Sequence, residues 1–131
     1  MNHGLDLQTL AAMNASVAIL GVGRYALPVR FRVKGRAVEC PVPTWSGVGD
    51  LLEQPGEVTL VTIEETPSGL RWLFLRGLAT VLTDPDWEGL RPPAKRPLDP
   101  SDLYHLLRIE PKRLELVDEQ RGWGARETAD L

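Results

Sequence analysis

The stretch Leu27-Pro28-Val29-Arg30-Phe31-Arg32-Val33 alternates apolar and charged residues without a break. Side chains on a strand point to opposite faces in turn, so Val29, Phe31 and Val33 share one face and Arg30 and Arg32 the other. That is a half-buried strand with a cationic face. Upstream, Ser16 to Leu20 is small and β-branched, and Gly21-Val22-Gly23 breaks it. Downstream, Lys34-Gly35 turns the chain into Arg36 to Val42. Three strands on short turns read as an antiparallel meander.

Working outward, Asp6 to Met13 has Leu7, Leu10 and Ala11 at helical spacing. Pro43 to Gly49 is a loop, and Asp50 to Gln54 a single helical turn closed by Pro55-Gly56. Val58 to Ile63 is apolar on both faces, which places it centrally in a sheet. Thr66-Pro67-Ser68-Gly69 is a hairpin turn, and Leu70 to Leu82 a very long strand that Gly77 bends or bulges. Asp84-Pro85 opens a short helix ended by Gly89. Prolines at 92, 93, 97 and 100 make Arg91 to Pro100 an extended connection. Ser101 caps a second helix with a Leu103, Leu106 and Leu107 stripe, Arg113 to Asp118 is the last strand, and the rest is a polar tail. The expectation is a mostly β chain, residues 1–131 as one domain, with six antiparallel strands curled into a small barrel flanked by short helices.

Of 131 residues, 43% are apolar and 25% charged, as in globular proteins. No apolar run approaches the ~20 residues of a membrane helix, and the N-terminus has no secretory pattern. One cysteine, Cys40, excludes an internal disulfide framework, so the expected location is cytoplasmic. Net charge is -3, with basic residues concentrated only at Arg30 to Arg36 and Lys95-Arg96, which argues against a nucleic-acid partner.

Side-chain chemistry is sparse. The two histidines, His3 and His105, and Cys40 fit no metal-site spacing, and no nucleophile elbow or Walker loop is present. Gly21-Val22-Gly23-Arg24-Tyr25-Ala26 fits the dinucleotide pattern G-x-G-x-x-A, but Pro28 and a period-2 strand follow where a helix is required. It reads as a glycine-rich turn. No catalytic residue is expected; any reaction would belong to a cofactor. Thr44, Trp45 and Ser46 share a loop between a strand and a helical turn, a place where binding groups often sit. Trp123, flanked by glycines in the tail, needs a surface to cover its ring, such as a subunit partner. Arg30 and Arg32 form either a solvated sheet face or a phosphate site. Trp72 and Trp87 read as packing residues, and Cys40 as a small buried hydrophobe.

Three stretches carry a likeness: Leu51-Leu52-Glu53-Gln54-Pro55-Gly56-Glu57-Val58, Trp72 with Gly77-Leu78-Ala79, and Ile109-Glu110-Pro111-Lys112-Arg113-Leu114. With the order of elements, they make the chain resemble the pyridoxamine 5'-phosphate oxidase-like family of flavin-binding split barrels, from about Leu7 to Trp123. The resemblance implies a split barrel with Greek-key character, a homodimer, and FMN at the interface serving oxidoreductase chemistry. It implies phosphate contacts from a basic residue on the second strand, which Arg30 or Arg32 fits. It also implies hydroxyls after the third strand and a lysine before the helical turn. Anchored on Glu53-Gln54-Pro55, the lysine position falls at Gly47 and a hydroxyl position at Pro41, with Thr44 and Ser46 close by as donors. FMN would then lie near Arg30, Arg32, Thr44 and Ser46, with Trp45 or Trp123 against its ring. The alternative is a non-enzymatic dimeric barrel that holds haem, a deazaflavin or nothing.

Overall fold

The computed structural model describes residues 5–13, 15–91 and 98–131. Helix α1, Leu7–Ala12, begins at an Asp6 capping box and buries Leu7 and Leu10. Strands β1, Val17–Val22, and β2, Tyr25–Arg30, form the first hairpin; β3, Arg32–Lys34, and β4, Ala37–Pro43, form the second. A 3-10 turn, Thr44–Ser46, leads into the four-residue helix α2, Val48–Leu51. Then come β5, Gly56–Thr66, β6, Gly69–Val81, β7, Tyr104–Asp118, and β8, Arg126–Asp130. The sheet is antiparallel in the order β2-β1-β5-β6-β7-β4-β3, with β8 on β7.

The two ends of that order, β2 and β3, are separated in the chain by Phe31 alone, so the sheet curls round until its edges meet. The expected alternation holds: Val29 is buried, and Leu27, Phe31 and Val33 pack on the core from the same side. The three-strand meander does not hold. β2 pairs with β1, β3 pairs with β4, and no ladder joins β2 to β4. Prolines explain the gap. Pro28 stands in the β1–β2 ladder, and Pro41 and Pro43 in the β4–β7 ladder. A proline is tolerated in a ladder only where its nitrogen faces away from the partner. Those nitrogens therefore face the open side, where β2 and β4 would otherwise bond.

Strand β7 is shared. Residues 104–109 pair with β4, and 113–117 pair with β8. The barrel is split between them. The β6–β7 register shifts at Arg76/Gly77, the bulge expected at Gly77. A Cβ on Gly77 would come within 2.8 Å of Ile109 Cγ2 and closer still to the Glu110 carbonyl oxygen. The Pro67-Ser68 hairpin forms as expected, with Thr66 Oγ1 donating to the Gly69 carbonyl at 2.8 Å.

Three expectations are corrected. Strands number eight rather than six, because one predicted strand splits at Phe31 and the polar tail adds β8. The helix expected after Ser101 is a 3-10 turn, Pro100–Asp102, capped by Asp99; Tyr104 onward is strand. Leu106 and Leu107 lie on opposite faces of β7, one in an outer cluster and one in the barrel core. A strand covered on both sides reads as an apolar run, and the helical spacing of its leucines is coincidental. The helix expected from Asp84 is absent; the chain turns at Glu88–Leu90 instead, where Leu90 N donates to the Trp87 carbonyl at 3.0 Å. Trp87 and Leu90 are drawn onto Leu106, outside the barrel, and Trp87 Nε1 donates to Ser101 Oγ at 2.9 Å. Residues 92–97, most of the expected extended connection, lie outside the described residues.

The core lies inside the curl: Ala18, Leu20 and Val22 of β1, Val38, Cys40 and Val42 of β4, Val58 and Leu60 of β5, Leu73 and Leu75 of β6, and Leu107, Ile109 and Leu114 of β7. Met13, just after α1, packs on it from one side, with Thr62 Oγ1 donating to its Sδ at 3.3 Å.

Candidate functional site

The expected site residues fall into three groups. The first is the Thr44–Ser46 turn, which holds itself together with its own polar groups. Thr44 donates to the Leu103 carbonyl through N at 2.9 Å and Oγ1 at 3.3 Å. Ser46 Oγ donates to the Pro43 carbonyl at 2.7 Å and accepts from Val48 N at 3.4 Å. Trp45 is left 85% exposed. The turn sits at a barrel mouth beside Tyr25: a Cβ at Gly47 would lie 3.3 Å from the Tyr25 hydroxyl. On the same side, a Cβ at Gly49 would lie 2.7 Å from His105 Nε2. Sequence reasoning placed neither Tyr25 nor His105 here; the ladder partners Val22–Tyr25 and Val42–His105 do.

The second group is the arginines. Arg32 Nε and Nη2 donate to Glu39 Oε1 at 2.9 and 2.7 Å. Its guanidinium also donates to the carbonyls of Asp86 and Glu88. All three of its guanidinium nitrogens are engaged by the protein. Arg30 differs: it is exposed, outward-facing, and without an ion-pair partner among the described residues. Arg30 ends β2 and Tyr25 begins it, roughly 16 Å apart along a strand. The structure therefore does not bring Arg30 and Arg32 onto one wall with Thr44, Trp45 and Ser46. The third group is Trp123, 93% exposed in the turn between β7 and β8, with Gly122 at φ 113° and Gly124 at φ 86°.

What sequence reasoning missed is the surface beside Arg30. Outward residues align in rows across the sheet. Arg30 pairs with Val17, and in continued register the row runs on to Ile63, Trp72 and Val117. The next row is Pro28, Ile19, Val61, Phe74 and Glu115. Val17, Ile19 and Ile63 are 51%, 41% and 54% exposed. This is a contiguous apolar face of the kind that soluble monomers rarely leave open. The signal was present: Val58 to Ile63 is apolar on both sides, and only one side faces the core.

Titration adds little at these positions. Burial, with the Glu39 carboxylate adding to it, pushes the Cys40 thiol up to about 12. The Asp86 carboxyl is held below its ordinary value, first by the Glu88 backbone amide and then by Lys34 and Arg32. Among the described residues no cluster of histidine, cysteine and carboxylates suits a metal, and no helix is long and apolar enough to cross a membrane.

No family model and no curated protein matches the chain. Solved structures do. The FAD binding protein from Mycobacterium smegmatis is similar at a TM-score of 0.56 and 12% identity, over 88% of each chain. A candidate pyridoxamine 5'-phosphate oxidase from Listeria innocua is similar at 0.59 and 14% identity, over 84% of this chain and 95% of that one. The fold is the pyridoxamine 5'-phosphate oxidase-like split barrel. The same split barrel also matches the flavocytochrome Anf3 from Azotobacter vinelandii at 0.53 and 16% identity, over 96% of this chain and 78% of that one.

Proposed function

We infer that this split barrel is a flavin-binding protein that works as a homodimer in the cytoplasm. The observation that carries the reading is the open apolar face of β1, β5 and β6 with an unpaired arginine, Arg30, at its margin. A second copy on that face would bury Val17, Ile19, Ile63 and Trp72, and would leave Arg30 at the seam. Two split-barrel neighbours, one named as an FAD binding protein and one as a flavocytochrome, support the choice of ligand. The buried free thiol of Cys40 suits a reducing compartment.

The residues fit a flavin in part. Arg30 offers a charged fork for its phosphate. Trp72 and Phe74 offer an apolar wall, and Trp45 and Trp123 are exposed rings free to cover a partner's surface. When bound, a flavin supplies the redox chemistry, consistent with an oxidoreductase in which this chain contributes no catalytic side chain. The chain's own tasks are to orient the ring, hold the phosphate and exclude water at the seam.

One observation favours the second reading, a dimeric split barrel with another planar ligand, such as haem or a deazaflavin, or with none. Gly47 has φ 82°, a conformation a lysine adopts only at a cost, and the Tyr25 hydroxyl occupies the space beside it. Restoring the phosphate lysine implied by the resemblance would strain the backbone and press on the Tyr25 hydroxyl. Titrating FMN into the purified chain separates the two. Saturable quenching of flavin fluorescence, weakened by Arg30→Ala, supports the flavin reading; no uptake supports the second.

A further inference from the structure

The row beyond the apolar face carries different chemistry. It runs Gly21, Thr59, Arg76, Arg113, Asp130 across β1, β5, β6, β7 and β8. Arg76 and Arg113 are direct cross-strand neighbours on the outer face. Their Cβ atoms stand about 5 Å apart, so two cationic side chains rise from the same spot of the sheet. Lys112 adds a third cation, and with Gly21, Gly23 and Thr59 these residues line a solvent-open groove of about 580 Å³. That volume is in the range of small-ligand sites.

The glycines make the groove. A Cβ at Gly21 would lie 2.6 Å from Thr59 Oγ1, so the absence of a side chain lets the threonine hydroxyl lie across the strand. Gly21-Val22-Gly23, which fails as a dinucleotide turn because no helix follows, thus contributes to the groove lining. Arg76 is set over Phe74, its Cζ 5.4 Å from the ring centroid, which limits its motion, and it has no acidic partner among the described residues. Arg113 and Lys112 each have one, Asp130 at 2.9 Å and Glu110 at 3.1 Å. Both pairs are well exposed, and such pairs exchange readily for a better-placed anion. One carboxylate, Glu57, also lines the groove and works against an anion.

We propose that this groove is a second ligand site, distinct from the Arg30 seam, that takes the phosphate group of a small phosphorylated molecule. Arg76 and Arg113 grip the phosphate oxygens as charged forks, with Thr59 Oγ1 and Lys112 as further donors. The organic part of the ligand lies toward Leu78, an exposed leucine of the groove lining. The site does not depend on flavin binding, because no atom of Arg30 or of the Thr44–Ser46 turn takes part.

Pyrophosphate titrated into the full chain, by calorimetry at an ionic strength held constant with KCl, tests this. The wild type should bind saturably with one site per chain. Arg76→Ala and Arg113→Ala should each weaken binding about tenfold or more, the size of a lost charge-assisted contact. Glu57→Gln should tighten it, and Arg121→Ala, an exposed cation elsewhere, should leave it unchanged. Without pyrophosphate, Arg76→Ala and Arg113→Ala should keep the wild-type circular dichroism spectrum, so that lost binding reports the site and not the fold. Absence of saturable binding in the wild type, or equal binding by wild type, Arg76→Ala and Arg113→Ala, would overturn the proposal.

Discussion

Arg32 and Glu39 face each other across β3 and β4, with Nη2 and Oε1 2.7 Å apart and the carboxylate only 2% exposed. Arg108 approaches the other oxygen at 3.6 Å. The same Arg32 guanidinium donates to the carbonyls of Asp86 and Glu88, so one side chain neutralises a buried charge and ties a loop to the barrel. Arg32→Ala should therefore cost about 3 kcal/mol in urea unfolding, because a buried carboxylate loses its main partner. Replacing both residues, Arg32→Met with Glu39→Met, should recover much of that loss. An Arg32 reserved for a ligand phosphate predicts instead no change in stability.

Gly77 lies against backbone. Since the Glu110 carbonyl cannot move without disturbing the β6–β7 ladder, Gly77→Ala should destabilise the protein by about 2 kcal/mol or more. Gly89→Ala is the control. Unlike Gly77 it has positive φ, 79°, and nothing lies within 4 Å of its would-be Cβ. Its cost should be the smaller backbone strain alone, about 1 kcal/mol. Equal midpoints in guanidinium for the two variants would contradict this packing.

Cys40 should be inert in the native state. Its thiol is wholly buried and pushed up to about 12, mainly by desolvation and also by the Glu39 carboxylate. At pH 8 a thiol reagent should modify it only as fast as the chain opens, and at once in denaturant. The folded value lies above the ordinary value of 9.0. The stability tied to the neutral thiol is therefore complete below about pH 9 and lost as pH rises through about 12. Cys40→Ala should flatten that alkaline decline; an unchanged profile would assign the decline to other groups.

The dimer face gives a fourth prediction. Ile63→Asp puts a charge at the centre of the apolar rows and should weaken self-association at least about tenfold while leaving the monomer folded. Trp123→Ala should weaken it less, since that ring stands at a hairpin tip. Circular dichroism identical to wild type, with a slower-sedimenting species, is the expected pair of results.

The β character, the inward set Val29, Phe31 and Val33, the Pro67-Ser68 hairpin and the Gly77 bulge were legible, because each follows from a local rule of alternation or turn chemistry. Leu106 and Leu107 were not. Their strand is covered on both faces, inside by the barrel and outside by Trp87, and that cover is a tertiary fact. The split of one strand at Phe31 was hidden for the same reason: it depends on prolines 28, 41 and 43 meeting across a gap that no local pattern reveals. At the site, the residue types were readable but their grouping was not. Arg30 and Arg32 share a face in sequence, yet one is spent on Glu39 and the other borders an apolar surface made by three further strands.

Sedimentation velocity of the wild-type chain with added FMN, followed in the flavin absorption band, tests whether a flavin is held by two copies of this barrel. The account predicts that flavin absorbance moves as one boundary at twice the 14.5 kDa chain mass, and that Arg30→Ala reduces its amplitude. Flavin that stays behind while the protein sediments, or that travels with a monomer, would contradict it.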